Sequence, residues 1–323
     1  MSNARAGQLD SKGSADGLRE VRLQLAVASV PGFGQLTAED YEATRLDSYT
    51  NATYRIMVGP ELFALRLAGT GTEHYIDRSA ERQNAYIAAA AGVAAPVVWF
   101  DETDGTMLTR WVAGRTTTPD LLRQPEVGRR AASVLAQVHA LTTEFRGRYD
   151  VFDIVRRYRT VLATSTVRLP SVHDELAGAV QQIEQAIRAR PVRFVPCHND
   201  PYPGNFIDTG KRIYLIDWEY AGMGDPMWDL ADLSVEAEFG ADDDERMLVT
   251  YYDGCVPPRA WSRLALFKVM CDFAWGVWSS VQLVYDNPTA DYRKYGLDRF
   301  AGAQRQLAAS EFGDHLAAVT RDA

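Results

Sequence analysis

The hydrophobic pattern of this 323-residue chain changes once, near residue 112, and the change separates two parts of different secondary structure. Between Tyr41 and Val112, short runs rich in β-branched and aromatic residues alternate with turn residues, which is typical of an antiparallel sheet. One Ala-rich stretch, Asp77 to Ala91, predicts a helix, and Gly92 follows it as a stop signal. The five predicted strands lie in the runs YEATRL, ATYRIMV, LFALRLAG, APVVWF and TMLTRWV.

From Pro119 onward the apolar residues recur with helical periodicity. Only the runs VRFVPCH and RIYLIDW are β-like in this part, and they flank the loop from His198 to Asp208. We therefore predict an α+β fold with a small antiparallel-sheet lobe and a larger, mostly helical lobe. The predicted segments are a disordered leader at 1–20, a first lobe at 21–112 and a second lobe at 113–323. The predicted helices of the second lobe are Pro125 to Leu141, Asp150 to Leu162, Asp174 to Arg190 and several from Pro226 to the C-terminus.

The bulk composition limits the classes of function. With 46% hydrophobic residues the chain can bury a sizeable core, and its net charge of -9 argues against a nucleic-acid partner while suiting a cationic small molecule. Three cysteines without metal-ligand spacing, Cys197, Cys255 and Cys271, are interpreted as reduced core thiols of a cytoplasmic protein.

No membrane segment or signal peptide is expected. The polar, Gly/Ser-rich start of the chain lacks an apolar region. The longest apolar stretch, Leu264 to Tyr285, carries charged residues in or beside it, so a buried helix is the better interpretation.

The loop after VRFVPCH combines residues that suit phosphoryl transfer. It reads His198-Asn-Asp200-Pro-Tyr-Pro-Gly-Asn205, and Asp217 follows twelve residues later at the end of an apolar run. Phosphoryl transfer needs a carboxylate to deprotonate the attacking hydroxyl, and oxygen ligands that hold Mg²⁺ on the nucleotide phosphates. The spacing H-x-D-x-x-x-x-N matches the protein-kinase catalytic loop, with Asp200 as base and Asn205 and Asp217 as metal ligands.

Two other interpretations of this loop remain open. Asp200 and Asn205 are also ordinary turn formers beside two prolines and a glycine, and Asp217 also suits the end of a strand. A nucleophilic Cys197/His198 dyad is the other alternative, although adjacent strand residues point to opposite faces. His198 itself is interpreted as a structural residue that braces the loop.

Three segments resemble the choline/ethanolamine kinases, within the wider aminoglycoside-phosphotransferase and protein-kinase-like superfamily. They are CHNDPYPGNF with LIDWEYAGMGDPMWDLA, then LRLAGTGTEHYIDRSAERQ, and finally FAWGVWSSVQ, and the likeness covers roughly Tyr41 to Gln306. The resemblance implies a kinase-like bilobal fold that binds ATP with Mg²⁺ between its lobes. It also implies that Asp229 braces the catalytic loop, while Asp225 has the form of a helix N-cap.

The resemblance implies that a basic residue on a strand and a glutamate on the next helix align the phosphates of the nucleotide. Arg66 and Glu81 match these positions, although a structural salt bridge is an alternative for the pair. The chain has no G-x-G-x-x-G between its first two predicted strands. The turn there instead offers hydroxyl and amide groups for phosphate oxygens, from Ser48, Thr50 and Asn51.

A pair of tryptophans on a late helix predicts the acceptor site. Trp275 and Trp278 lie three residues apart and share a face with Asp272, and aromatic rings beside an acid suit a quaternary ammonium group. Core packing is the alternative for such a pair. By resemblance Glu236 and Tyr295, and more weakly Tyr292, also contact the acceptor.

The expected activity is ATP-dependent phosphorylation of the hydroxyl of a small amino alcohol, with choline as the first choice. Ethanolamine, an aminoglycoside or another small hydroxyl compound is the alternative acceptor for the same fold. A non-catalytic pseudokinase is the alternative of a different class.

Overall fold

The structure is a computed structural model, and it describes residues 17–46, 51–69, 72, 75–285, 287, 290–308 and 311–321. These residues form two compact units. The first comprises the described residues up to Gly69 together with Pro96–Trp111, and the second comprises the described residues of Thr70–Ala95 and Val112–Ala323. The α+β class is confirmed, since the first unit is built on an antiparallel sheet and the second is mostly helical.

The first unit contains a five-stranded antiparallel sheet with the strand order β1-β2-β3-β5-β4, as the five apolar runs predict. A helix, α1, covers residues 17–29. The strands are β1 Tyr41–Arg45, β2 Ala52–Val58, β3 Glu61–Leu67, β4 Val97–Phe100 and β5 Met107–Arg110.

One face of this sheet packs against α1. Ile56 of β2 lies opposite Phe63 of β3, and both are buried together with Leu65. Leu23 and Val27 of α1 join them in one apolar core. Alternate strand residues point to the same face, so the apolar alternation of the two strands gives α1 a continuous surface to pack on.

The start of α1 corrects the predicted leader. Residues 17–20 are already helical, so the predicted boundary at residue 20 is wrong. Residues 1–16 lie outside the described residues.

Among the residues that the structure describes, the second unit holds helix α2 and the nine helices α3 to α11. It also holds two three-stranded sheets, ordered β10-β9-β6 and β7-β11-β8. The prediction of only two β-like runs here is wrong, because strands of two or three residues are too short to show a period in the sequence. The strands are β6 Arg115–Thr116, β7 Arg148–Tyr149, β8 Val195–Cys197, β9 Phe206–Asp208, β10 Ile213–Leu215 and β11 Gly222–Gly224. The helices are α2 Arg78–Ala90, α3 Pro119–Leu122, α4 Pro125–His139, α5 Val151–Ala163, α6 Ser171–Ala189, α7 Pro226–Glu236, α8 Ala241–Tyr251, α9 Ala260–Val284, α10 Tyr292–Leu307 and α11 Phe312–Thr320.

Helix α2 belongs to the second unit, whereas the sequence assigned it to the first lobe. Its side chain Asn84 is fully buried and donates to the carbonyls of Arg146 and Ala221, at 2.9 and 2.8 Å. The backbone amide of Leu215 also donates to the carbonyl of Val93 just beyond the helix, at 2.8 Å. These hydrogen bonds join segments distant in sequence, which is why the pattern change near residue 112 does not reveal them.

Helix α9 is the central helix of the second unit. It is long and apolar enough to cross a membrane, but 89% of its most apolar 18 residues are buried against the rest of the protein, as expected for a core helix. It packs closely on α10 through glycines: a Cβ on Gly296 would lie 2.1 Å from the Ser279 hydroxyl oxygen, and one on Gly276 would lie 2.8 Å from the Phe300 ring.

The three cysteines are free, but they do not share one environment. Cys197 and Cys271 are buried, as predicted. Cys255 is exposed because it lies in the connection between α8 and α9, so its interpretation as a core thiol is wrong.

Candidate active site

The structure brings Asp200 and Asn205 into direct contact. Asp200 follows β8, and Asn205 ends a short 3₁₀ turn, Pro203–Asn205. The side-chain amide of Asn205 donates to the backbone carbonyl of Asp200 at 2.9 Å and to its carboxylate Oδ2 at 3.2 Å. This use of the amide nitrogen leaves the amide oxygen as the atom of Asn205 suited to a cation.

Asp217 lies beside the same loop. The backbone amide of Ile216 donates to the carbonyl of Asn205 at 3.0 Å, so the two segments run next to each other. Asp217 has a φ of 65° and Asn199 has a φ of 66°. Non-glycine residues rarely adopt this left-handed conformation, and it is concentrated at functional sites.

Asp229, near the start of α7, holds the loop in place. Its two carboxylate oxygens accept the backbone N–H groups of His198 and Asn199, at 2.8 and 2.7 Å. His139 lies 3.0 Å from the same carboxylate, and the indole N–H of Trp228 donates to the carbonyl of Asn199 at 3.1 Å. The expected bracing role of Asp229 therefore agrees with its contacts, and Asp225 caps α7 through the backbone amide of Met227.

His198 is structural, as expected. It is fully buried, and its Nε2 donates to the carbonyl of Ile216 at 2.9 Å. Burial raises the pKa of Cys197 well above its ordinary value, which disfavours the thiolate that a Cys197/His198 nucleophile would need.

Negative charge is concentrated around Asp200. Burial is the largest cause that raises the pKa of Asp200 well above its ordinary value, and the carboxylates of Asp232 and Asp217 add to it. A carboxylate with a raised pKa is a stronger base, and a site this acidic attracts cations.

Three carboxylates next to the loop form a group of hard oxygen donors. One oxygen from each of Glu81, Asp217 and Glu219 lies within 4.8 Å of the other two. Arg78 donates to Glu81 at 2.6 Å and to Glu219 at 3.2 Å, which holds two of the three in place. All-oxygen donors suit Mg²⁺, so Asp217 and its neighbours fit this ion. Glu219 is not among the residues predicted from the sequence.

The residues predicted to bind nucleotide phosphates have structural contacts of their own. Arg66 is buried and donates to the carbonyl of Gly105 at 3.0 Å. The side-chain oxygen of Asn51 accepts the backbone amide of Gly69 at 3.0 Å, which joins the residue before β2 to the segment after β3. Ser48 and Thr50 lie outside the described residues. The pairing of Arg66 with Glu81 and the phosphate contacts of all these residues stay predictions.

Trp275 and Trp278 belong to a continuous cluster of aromatic rings. Their ring centroids are 5.6 Å apart, Trp275 lies 6.0 Å from Tyr220, and Trp278 lies 5.6 Å from Tyr292 and 6.1 Å from Tyr295. Both indole N–H groups are used: Trp275 donates to Asp232 at 2.7 Å and Trp278 donates to the Tyr220 hydroxyl at 3.1 Å. The predicted acceptor-site aromatics are thus brought together.

The two acids predicted to accompany these rings are instead bound by Arg299 of α10. Arg299 forms an ion pair with Glu236 and lies 3.3 Å from Asp272, which also accepts a hydrogen bond from Gln306 at 2.7 Å. Burial raises the pKa of Asp272 to about 6, although Arg299 opposes this. Asp272 and Glu236 therefore face a cation of the protein itself, and their contact with the acceptor stays a prediction. The sequence could not show this because Arg299 lies 63 residues after Glu236.

Asp232 is an acid of this region that the sequence did not point to. It lies on α7 between Asp229 and Glu236, at helical spacings of three and four residues, in an otherwise apolar stretch. The sequence signal that could have indicated Asp232 is the row of acids on one face of this otherwise apolar helix.

Comparison with known proteins gives one consistent family. The model of the phosphotransferase enzyme family matches residues 42–267. Protein LicA of Haemophilus influenzae is 27% identical over 258 residues, covering 77% of this chain and 96% of that protein. A choline/ethanolamine kinase family protein from Mesorhizobium loti is 35% identical with a TM-score of 0.82, covering 93% of this chain and 99% of the other. Choline kinase LicA from Streptococcus pneumoniae is 27% identical with a TM-score of 0.74, covering 83% and 94%.

Proposed function

This chain belongs to the phosphotransferase enzyme family and, within it, to the choline/ethanolamine kinases, and we propose that it transfers the γ-phosphoryl group of ATP to the hydroxyl of choline. Small-molecule kinases are the class of enzyme to which its relatives belong. Choline as the acceptor, ATP with Mg²⁺ as the co-substrate and a cytoplasmic location are parts of the proposal.

One observation carries the chemistry. Asp200 and Asn205 are hydrogen-bonded to each other on a loop whose backbone is fixed by Asp229. This arrangement holds a carboxylate in one orientation, which is what a general base needs in order to accept the proton of an attacking hydroxyl.

The proposed roles follow from the contacts. The hydroxyl oxygen of the acceptor attacks the γ-phosphorus, and the bond between this phosphorus and the ADP oxygen breaks. Asp200 accepts the hydroxyl proton as this happens. Asn205 and Asp217 would hold Mg²⁺, which supplies charge neutralisation on the phosphates when bound. Arg66 and Glu81 are proposed to align the phosphates, and Asn51, Ser48 and Thr50 to contact them.

Choline is favoured over a polycationic acceptor by the composition of the ring cluster. Two tryptophans and the tyrosines Tyr220, Tyr292 and Tyr295 lie within 6.1 Å, centroid to centroid, of a neighbouring ring. Each ring face adds about 0.5 to 2 kcal/mol for a cation, so several rings suit one quaternary ammonium group. An aminoglycoside with several ammonium groups would need several unpaired carboxylates.

A panel of acceptors tests the proposal. Purified protein with Mg²⁺ and ATP is assayed for ADP release with choline, ethanolamine and an aminoglycoside. We expect the highest kcat/KM with choline. A higher value with ethanolamine or the aminoglycoside would move the activity to that acceptor, and no ADP release with any of them would favour a non-catalytic role.

Two tryptophan variants test the ring cluster. Trp275→Leu should raise the KM for choline by roughly tenfold while the KM for ATP stays near that of the wild type. Trp261→Leu is the control, since Trp261 lies at the start of α9 and is 39% exposed. Equal choline KM values for the two variants would show that Trp275 packs in the core and does not bind choline.

A further inference from the structure

A cavity of about 190 Å³ lies in the second unit, beside the start of α5 and the end of α6. Much of its lining is aromatic, and includes the rings of Phe152, Phe194, Trp228 and Phe267. An apolar cavity of about 150 Å³ is large enough to bind benzene. This cavity therefore has room for one aromatic ring with a short substituent.

Two arginines of the lining lie over aromatic rings. The guanidinium carbon of Arg148 is 4.1 Å from the ring centroid of Phe194, and that of Arg188 is 5.4 Å from the ring centroid of Phe152. The two arginine side chains are 64% and 43% exposed, so their charged ends reach solvent. A guanidinium group that lies on a ring keeps N–H donors at its edge, where they can bind an anion.

The two aspartates of the lining already have partners. Asp150 caps α5 by accepting the backbone amide of Phe152 at 3.1 Å, and it lies 3.3 Å from Arg188. Asp225 caps α7 and forms an ion pair with Arg263. Because both carboxylates are bound by groups of the protein, they do not favour a cation as the ligand of this cavity.

Arg148 is the cation of the lining that is least engaged with acids. Its contact with Asp150, at 3.7 Å, is longer than a hydrogen bond. Two further acids nearby, Asp153 and Glu184, form ion pairs with Arg156. The guanidinium of Arg148 can therefore bind the anionic group of a ligand without breaking a hydrogen bond to a carboxylate.

The rim of the cavity carries more positive charge, although the chain as a whole has a net charge of -9. Pro191 and Val192 belong to the lining, and Arg190 and Arg193 flank them in the segment after α6. A concave surface with several arginines at its rim attracts anions.

The cavity is distinct from the proposed active site. Its lining contains none of the residues proposed to bind the acceptor, the metal or the nucleotide. Trp228 is the side chain that links the two regions, because its ring lines the cavity while its indole N–H donates to the carbonyl of Asn199, next to Asp200. A ligand in the cavity would thus contact a residue that supports the catalytic loop.

We propose that this cavity binds a small aromatic carboxylate, with the ring against the aromatic lining and the carboxylate on Arg148. A planar carboxylate accepts two parallel N–H groups from one guanidinium, which matches the edge that Arg148 presents. The volume of about 190 Å³ limits the ligand to one ring, since pockets for larger ligands measure roughly 300 to 1,000 Å³.

Benzoate is the probe for this proposal, and benzamide is its uncharged copy of similar shape. Their binding to the full chain is measured by titration with saturation-transfer difference NMR. We expect saturable binding of benzoate with a Kd of about 1 mM or below, and binding of benzamide that is weaker by roughly tenfold or more. Saturating choline and Mg-ATP should leave the Kd for benzoate within about threefold of its value without them, because the two regions are distinct.

Two arginine variants test the role of Arg148. Arg148→Gln should raise the Kd for benzoate by roughly tenfold and leave that for benzamide unchanged. Arg193→Gln is the matched control, with the same chemical change at an exposed position of the rim, and its Kd for benzoate should stay within about twofold of the wild type. Both variants should keep the wild-type melting temperature, since both side chains are exposed.

A third variant tests the cavity itself. Val192 lies in the lining and is 37% exposed, so Val192→Trp should fill the opening without disturbing the core, and should weaken both benzoate and benzamide. Unchanged binding in this variant would place the probes elsewhere and overturn the proposal. It is also overturned if benzoate does not bind, if benzamide binds as tightly, if choline or Mg-ATP displaces benzoate, or if the two arginine variants lose the same affinity.

Discussion

The side-chain amide of Asn205 donates to Oδ2 of Asp200 at 3.2 Å. This contact joins the residue proposed to hold the metal to the residue proposed to act as base. Because the amide nitrogen is fixed against Asp200, the amide oxygen is fixed as well, so the loop orients both functions with one hydrogen bond.

Replacing Asn205 by Ala should therefore change the response to metal. We expect a roughly 10- to 100-fold loss of kcat at moderate Mg²⁺, partly recovered at high Mg²⁺, because one oxygen ligand is missing. The measurement is a Mg²⁺ titration of initial rates at saturating ATP. If the variant keeps the wild-type Mg²⁺ dependence, Asn205 is not a metal ligand.

A buried carboxylate of β9 in the second unit is paired with an arginine of α4. Arg130 donates to both carboxylate oxygens of Asp208, at 3.0 and 2.7 Å, and Asp208 is buried. Burial acts to raise the pKa of Asp208, but hydrogen bonds from Arg130 and Gly210 outweigh it and lower the pKa below its ordinary value. Arg130→Gln should reduce the free energy of unfolding by about 2 to 4 kcal/mol at neutral pH.

The sign of the pH effect follows from the lowered pKa. Asp208 contributes stability above its unfolded-state pKa, and that contribution is lost as pH falls through the folded-state pKa. The difference in the free energy of unfolding between the wild type and Arg130→Gln, measured in urea, should therefore become smaller at acidic pH. Arg129→Gln is the control: its ion pair with Glu126 is solvent-exposed, so a change within about 0.5 kcal/mol is expected. Equal losses in the two variants would contradict this account.

The close packing of α9 and α10 should not tolerate a methyl group at Gly296. The added Cβ would lie 2.1 Å from the Ser279 hydroxyl oxygen, so Gly296→Ala should destabilise by about 1 to 3 kcal/mol. Gly178→Ala on α6 has no atom within 4 Å of the new Cβ and should stabilise by about 0.5 to 1 kcal/mol. Denaturant midpoints of the two variants should thus move in opposite directions, and a shift of Gly296→Ala toward higher stability would contradict the packing.

The sequence predicted those parts of the protein that depend on local spacing. The proximity of Asp200 and Asn205 follows from a five-residue separation within one loop, and the five strands of the first unit follow from their apolar alternation. The predictions that needed correction depend on contacts between distant segments. Helix α2, for example, is joined to the second unit by hydrogen bonds such as those from Asn84 to Arg146 and Ala221.

The same reasoning explains why Asp232 was missed. Its surroundings are set by Trp275, 43 residues later. Within the described part of the chain its Oδ2 has no hydrogen-bond partner, which is visible only once every neighbour is in place. A residue-type pattern reports which acids share a helix face, but not which of them already has a partner.

The most direct test of the central claim is to measure the rate of phosphocholine formation by the wild type and by Asp200→Asn. The reaction contains Mg²⁺, ATP and choline and is monitored by ³¹P NMR. The account predicts a phosphocholine signal for the wild type and a rate lower by about 10²- to 10⁴-fold for the variant, while a thermal-shift assay shows that Mg-ATP still binds. Asp242→Asn, at an exposed position of α8, should match the wild type. Phosphocholine formed at the wild-type rate by Asp200→Asn would contradict the assignment of Asp200 as the catalytic base.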